Sequence, residues 1–143
     1  MTKRFTALAA LSLLMTANPA FADNPAPHQP QGLWINPHGN VIVRTGACGD
    51  KLCGWIAWAN QEARSDARDG GVTQLLGTKL LEDYGATGAT SWKGVVFVPD
   101  MGRRFSSRID ELSPTRLGIK GCILGGLICK SQIWNRIERL PDA

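Results

Sequence analysis

The sequence predicts an all-β fold, an eight-stranded up-and-down antiparallel barrel with one short helix in a long connection. Three observations carry this reading: short apolar runs that alternate with polar residues, tight turn signals between nearly all of them, and a cysteine pair that comes into register across a Gly-Gly step near the C-terminus. Closure is expected because it removes the sheet edges that an open meander exposes. A two-sheet sandwich is the alternative architecture.

The chain opens with Lys3 and Arg4, continues through an apolar run from Phe5 to Ala17 and reaches Ala20-Phe21-Ala22, the small-x-small pattern of a secretory signal. That run is shorter than the roughly 20 apolar residues a permanent span requires, and no later segment approaches that length. Residues 1–22 are therefore expected to be a signal peptide, 23–31 a flexible proline-rich arm, and 32–140 a single barrel domain released to the periplasm or the exterior by cleavage near Ala22. Loss of Lys3 and Arg4 lowers the basic count from 16 to 14 against 12 acidic residues, so a charge of +4 becomes about +2. With Arg103-Arg104 the one close basic pair left, nucleic acid is not an expected partner.

Four cysteines in a short exported chain point to disulfides in an oxidising compartment. Neither Cys48-x4-Cys53 nor Cys122-x6-Cys129 has zinc-ribbon spacing, and both histidines, His28 and His38, lie in proline-flanked or turn sequence. No metal and no cofactor is expected.

Taken in order, Gly32 to Asn36 reads as a short strand, Pro37 to Asn40 as a turn and Val41 to Cys48 as the next strand. A following turn centred on Asp50-Lys51 sets Cys48 opposite Cys53, Val43 opposite Trp58 and Thr45 opposite Ile56. Val41, Val43, Ile56 and Trp58 then share the inner face, while Arg44, Trp55 and the cysteines lie outside or at the rim. Gln61 to Arg68 is alanine-rich and charged, hence a helix, ended by Gly70-Gly71. Leu75 to Tyr84 fits helix or strand by periodicity and is assigned as strand. A loop covers Gly85 to Thr90, and a strand Trp92 to Val98 turns at Pro99 to Gly102 into a strand Arg104 to Leu112, where Phe105, Ser107 and Ile109 alternate with charged and polar neighbours.

The final hairpin follows Ser113-Pro114. If Gly125-Gly126 forms a two-residue turn of the primed type, which needs positive φ, Leu124 faces Leu127 and Cys122 faces Cys129 as a hydrogen-bonded pair. Leu117 with Trp134 and Ile119 with Gln132 then share the inner face, and the cysteines the polar one.

Gly32-Leu33-Trp34, Cys48-Gly49-Asp50-Lys51-Leu52-Cys53-Gly54, Trp92-Lys93-Gly94 before Val98-Pro99-Asp100, and Gly121-Cys122 through Gln132-x-Trp134-x-Arg136 resemble an exported bacterial family known as domain of unknown function 2147. The resemblance spans almost all of the chain after the signal and implies a lipocalin-like, calycin-type barrel. Gly32-x-Trp34 and Arg136 also resemble the lipocalin G-x-W and its partnering arginine, which implies that the Arg136 guanidinium stacks on Trp34 and closes the barrel. The segment Asp66 to Gly71 departs from the family's Asn-Pro-Asp-rich loop.

A barrel of this class holds a small apolar or amphipathic ligand where side chains do not fill it. The expected lining is Val43, Trp58, Phe105, Leu117 and Trp134, with Gln132 as the polar group that orients the ligand. In the alternative, the five tryptophans fill the interior and the chain is an envelope protein-protein interaction module, or self-associates, through the outward Trp55. Enzymatic activity is not expected: there is no G-x-S-x-G, no H-E-x-x-H and no glycine-rich phosphate loop, and Asp100 after Pro99 reads as a turn residue.

Overall fold

Eight antiparallel strands, each paired with its sequence neighbour, close into a barrel when the first meets the last. The structure is a computed structural model that describes residues 28–142. The expected signal peptide and residues 23–27 of the expected arm lie outside the described residues. The strands are β1 (Gly32–Ile35), β2 (Val41–Cys48), β3 (Lys51–Ala59), β4 (Lys79–Gly88), β5 (Ser91–Val98), β6 (Arg103–Ser113), β7 (Arg116–Ile123) and β8 (Ile128–Ile137), with one helix, α1 (Gln61–Asp69), between β3 and β4. Asn60 caps α1 by accepting from the Ala63 N–H at 2.9 Å, and Ala63 and Ala67 turn inward onto the barrel. Trp34 pairs with Arg136 at the β1–β8 seam.

The first staple differs from the sequence expectation. The β2–β3 turn is Gly49-Asp50, with Gly49 at φ +68°, so Cys48 pairs with Lys51 and Gly46 with Cys53. The disulfide therefore runs diagonally, with Cα atoms 5.8 Å apart, and the Cys53 side chain is buried rather than at the rim. Further along, the β2–β3 register shifts between Ile42 and Val43, so that Val43 pairs with Ile56 and Ile42 with Trp58, leaving Ala57 as the extra residue. Such a bulge reverses the alternation of faces. Ala59 joins the core in place of Trp58, which is half-buried and belongs to neither core nor cavity.

Two further boundaries move. Leu75 and Leu76 precede β4, and β4 extends through Gly88 into what reads as loop. Asp83, at φ +51°, lies where the register shifts between Glu82 and Gly85.

The final hairpin keeps its expected pairs: Leu117 with Trp134, Ile119 with Gln132 and Cys122 with Cys129. Gly125 and Gly126 both have positive φ, and the Leu127 N–H donates to the Leu124 carbonyl at 3.3 Å, as a primed turn requires. Leu124 also has positive φ, however, so the ladder stops at Ile123 and Ile128 and four residues lie outside it. The alternation of wide and narrow pairs shifts accordingly. Cys122 and Cys129 have Cα atoms 4.1 Å apart, the short spacing of a non-hydrogen-bonded pair.

Because the strands run up and down, the β2–β3, β4–β5 and β6–β7 turns share one end with the start of β1 and the finish of β8. That end is packed. Trp34, Trp92, Ile109, Leu117 and Trp134 are buried in one core. Of the proline-rich segment, residues 28–31 are bound to the barrel rather than free: Pro30 is buried, the Thr45 hydroxyl donates to its carbonyl, and the Trp34 indole donates to Thr45 Oγ1 at 2.9 Å. His28 meets Glu111 at 2.8 Å.

Candidate functional site

The opposite end is open. The β1–β2 turn, the α1 connection, the β5–β6 turn and the β7–β8 turn surround a cavity of about 730 Å³. Its apolar lining includes Ile56, Leu75, Leu80, Val96, Phe105 and Ile119, and Ala63 of α1 contributes to it from above. Volumes of about 300–1,000 Å³ are those of sites for small organic ligands. The floor is the packed core, so the interior is filled over one half and empty over the other.

Gln132 is the polar group within this lining that lies nearest the floor in the β8 register. Its side-chain oxygen accepts from the Trp134 indole N–H at 3.0 Å, which fixes the amide and leaves its NH2 group for another acceptor. Two residues on, Lys130 lies on the same strand face and reaches the mouth. Arg103, Asp66 and Asp100 also line the mouth, so the rim carries both signs of charge.

Of the residues expected to form the lining, the structure brings Phe105 and Gln132 to the cavity. Val43, Leu117 and Trp134 lie in the packed core, and Trp58 is moved off the inner face by the β3 bulge. The cavity residues not anticipated are Ile56, Leu75, Leu80, Val96 and Ile119. Ile119 had a signal, since it was already opposite Gln132. Leu75 had none, because its inward position depends on how the α1 connection folds back.

Trp55 points outward and is half-buried, with the Lys79 ammonium 6.0 Å from its ring centroid. The closure expected from the resemblance is present, the Arg136 guanidinium lying 4.3 Å from the Trp34 ring centroid. In the core, the Tyr84 and Ser107 hydroxyls are buried without a hydrogen-bond partner among the described residues. Burial pushes the Tyr84 phenol far above its ordinary range, so it stays protonated. Among the described residues, the one cluster with metal-ligand geometry is Cys48, Cys53 and Asp83, whose sulfurs are joined in a disulfide and offer no thiolate. No helix among the described residues is long and apolar enough to cross a membrane.

Comparison with solved structures finds a similar fold in a Helicobacter pylori protein described as belonging to the lipocalin family, with a TM-score of 0.60 and 15% identity, over 77% of this chain and 84% of that one. The fold is lipocalin-like. No curated protein matches in sequence. The family model for uncharacterised proteins conserved in bacteria, domain of unknown function 2147, matches residues 32–136, from the glycine that opens β1 to the arginine that closes the barrel, and the chain belongs to that family.

Proposed function

We propose that this protein is an exported carrier or receptor for a small amphipathic molecule, held with its apolar body in the open half of the barrel and an acceptor oxygen directed at the Gln132 amide. The observation that carries this reading is the cavity of about 730 Å³ above a packed floor, apolar in its depth and charged at its rim. The oriented NH2 group of Gln132 favours ligands with a carbonyl, carboxylate or hydroxyl oxygen over pure hydrocarbons. Two disulfides support an oxidising compartment outside the cytoplasm. Three of the five tryptophans lie in the core and the other two outside it, which argues against an interior filled to the brim.

Native mass spectrometry of gently purified protein tests the proposal. A retained adduct that exchanges with an added long-chain carboxylate is the expected result. Protein that arrives bare and takes up neither a carboxylate nor a neutral amphiphile would remove the reading.

A further inference from the structure

The β7–β8 hairpin ends in an apolar tip on the rim of the cavity. Ile123, Leu124, Leu127 and Ile128 are 41%, 67%, 84% and 56% exposed, and Ile123, Leu124 and Ile128 also line the cavity mouth. Turns are normally built from polar residues and glycine, whereas here leucines flank the glycine pair, one of them at φ +53°. The Cys122–Cys129 disulfide joins the strands directly beneath, so the tip is held out from the barrel on a fixed base.

The hairpin that carries the tip bears charge of one sign. From Arg116 to Ile137 the chain carries Arg116, Lys120, Lys130 and Arg136 and no acidic residue. Beside the tip runs an outer groove lined by Lys93, Arg104, Arg108 and Lys120 together with Leu124, and no carboxylate lines it. Arg104 is matched by Glu82 and Arg108 by Asp110, but among the described residues Lys93, Lys120 and Lys130 have no carboxylate within ion-pair distance. Asp66 and Asp100, the acids of the cavity mouth, belong to α1 and to the β5–β6 turn, not to this hairpin.

We propose that the tip docks on an anionic lipid bilayer. Leu124, Leu127 and Ile128 enter the boundary between headgroups and acyl chains, and Lys120 and Lys130 meet the lipid phosphates. An exposed apolar tip flanked by Lys120 and Lys130, neither within ion-pair distance of a carboxylate among the described residues, suits a deformable, negatively charged apolar medium. Docking also brings the cavity mouth to the bilayer, so an amphipathic ligand passes between lipid and barrel without crossing water. That last step rests on the carrier reading above; the docking itself does not.

The test uses the chain from Asp23 onward, which keeps the whole closed barrel and lacks the apolar run of residues 5–17. It is sedimented with vesicles of phosphatidylglycerol and phosphatidylcholine, and with vesicles of phosphatidylcholine alone. Binding to the anionic vesicles, weakened by added salt and at least about tenfold stronger than to neutral ones, is expected. Leu124→Asn with Leu127→Ser should lower it by about tenfold or more at unchanged thermal stability, since each leucine is worth roughly that factor when buried. Lys120→Glu with Lys130→Glu should remove the preference for anionic lipid. Absence of binding at low salt, or equal binding by the leucine variant, overturns the proposal. So does light scattering that shows a dimer which the leucine substitutions dissociate and no vesicle binding by either form. Ligand retention is measured separately in the native mass spectrometer, so docking lost with capture intact counts against the tip alone, and capture absent with docking intact counts against the cavity alone.

Discussion

The Trp134 indole N–H donates to Gln132 Oε1 at 3.0 Å, across the line where the packed floor meets the cavity. One hydrogen bond thus joins a core residue to a cavity-lining residue and decides which end of the amide faces the cavity. Gln132→Glu keeps an acceptor for the indole and presents no donor to the cavity. Affinity for an oxygen-bearing ligand should fall about tenfold or more, and a hydrocarbon probe should be little affected. Gln132→Leu instead strands the indole N–H, at a cost of about 1–3 kcal/mol in urea denaturation. Competitive displacement titrations separate the two effects.

Ile119 lies opposite Gln132 and lines the cavity from β7. Ile119→Trp should extend into the open half and abolish ligand capture with stability changed by no more than about 2 kcal/mol. Leu117→Ala, two residues away in the packed core, should do the reverse, costing about 2–5 kcal/mol by leaving a cavity in the floor. Equal effects of both substitutions on capture would mean that floor and cavity are not separate.

Arg136 does more than stack on Trp34. Its Nε donates to the Pro114 carbonyl at 2.7 Å and its Nη1 to the Gln31 carbonyl at 2.8 Å, which ties the β6–β7 turn and the segment before β1 to the last strand. Gly32, at φ +145°, leaves the space the guanidinium occupies; a Cβ there would collide with Arg136 Nη1. Arg136→Ala is expected to cost about 2–4 kcal/mol, and Arg136→Lys somewhat less, because an ammonium keeps the charge but not the planar two-point reach. Chemical denaturation measures both.

The two disulfides close short loops, and each should contribute roughly 2 kcal/mol on the chain-entropy model. Their removal should nonetheless be unequal. Cys53 is buried, and its sulfur accepts from the Asp83 N–H at 3.4 Å, whereas Cys129 is exposed on the hairpin. Replacing Cys48 and Cys53 with alanine should therefore destabilise more than replacing Cys122 and Cys129, although its loop is the shorter. Thermal unfolding of the two double variants gives the order.

The Arg108 side chain bonds both oxygens of Asp110, with Nε at 2.8 Å from the nearer, and Ser91 Oγ adds a bond at 2.7 Å. The hydrogen bond from Arg108 is the main cause that holds the Asp110 carboxyl below its ordinary value, with Ser91 acting in the same direction. The folded state then binds fewer protons than the unfolded one. This contribution is complete above the unfolded value of about 3.9 and is lost as pH falls through the lower folded value. Asp110→Asn should cost less than about 1 kcal/mol near pH 7, since the pair is largely exposed, and the difference should close as the pH approaches about 2. A gap that persists in acid would assign the effect to packing.

The contrast between the two hairpins explains what could be read in the sequence. At the β7–β8 turn the two glycines and the facing cysteines agree on one register, and the pairs from Leu117 to Cys122 follow it. At the β2–β3 turn the cysteines suggested a directly facing pair, but the left-handed position falls on Gly49 and makes the disulfide diagonal. A turn read from its glycine would have been correct. The Ala57 bulge left no comparable mark, and with it went Trp58. Barrel, closure and the inward Gln132 all follow from local chemistry and alternation. Which half of the interior is empty does not, because it depends on how bulky side chains from different strands, Trp34, Trp92 and Trp134 among them, gather at one end.

The seam between β1 and β8 consists of three pairs, Leu33 with Ile137, Trp34 with Arg136 and Ile35 with Asn135. They join the two extremes of the barrel sequence, so no shorter piece of the chain can complete the fold; until β8 arrives, β1 and β7 each keep an open edge. Timing follows from this geometry. A chain that emerges N-terminus first presents β8 after the other seven strands, and the barrel cannot lock until β8 is free to pair with both β1 and β7. Arg136, which clamps the seam against Trp34, follows all of β1 to β7 in the chain, so closure is the last step in building the barrel.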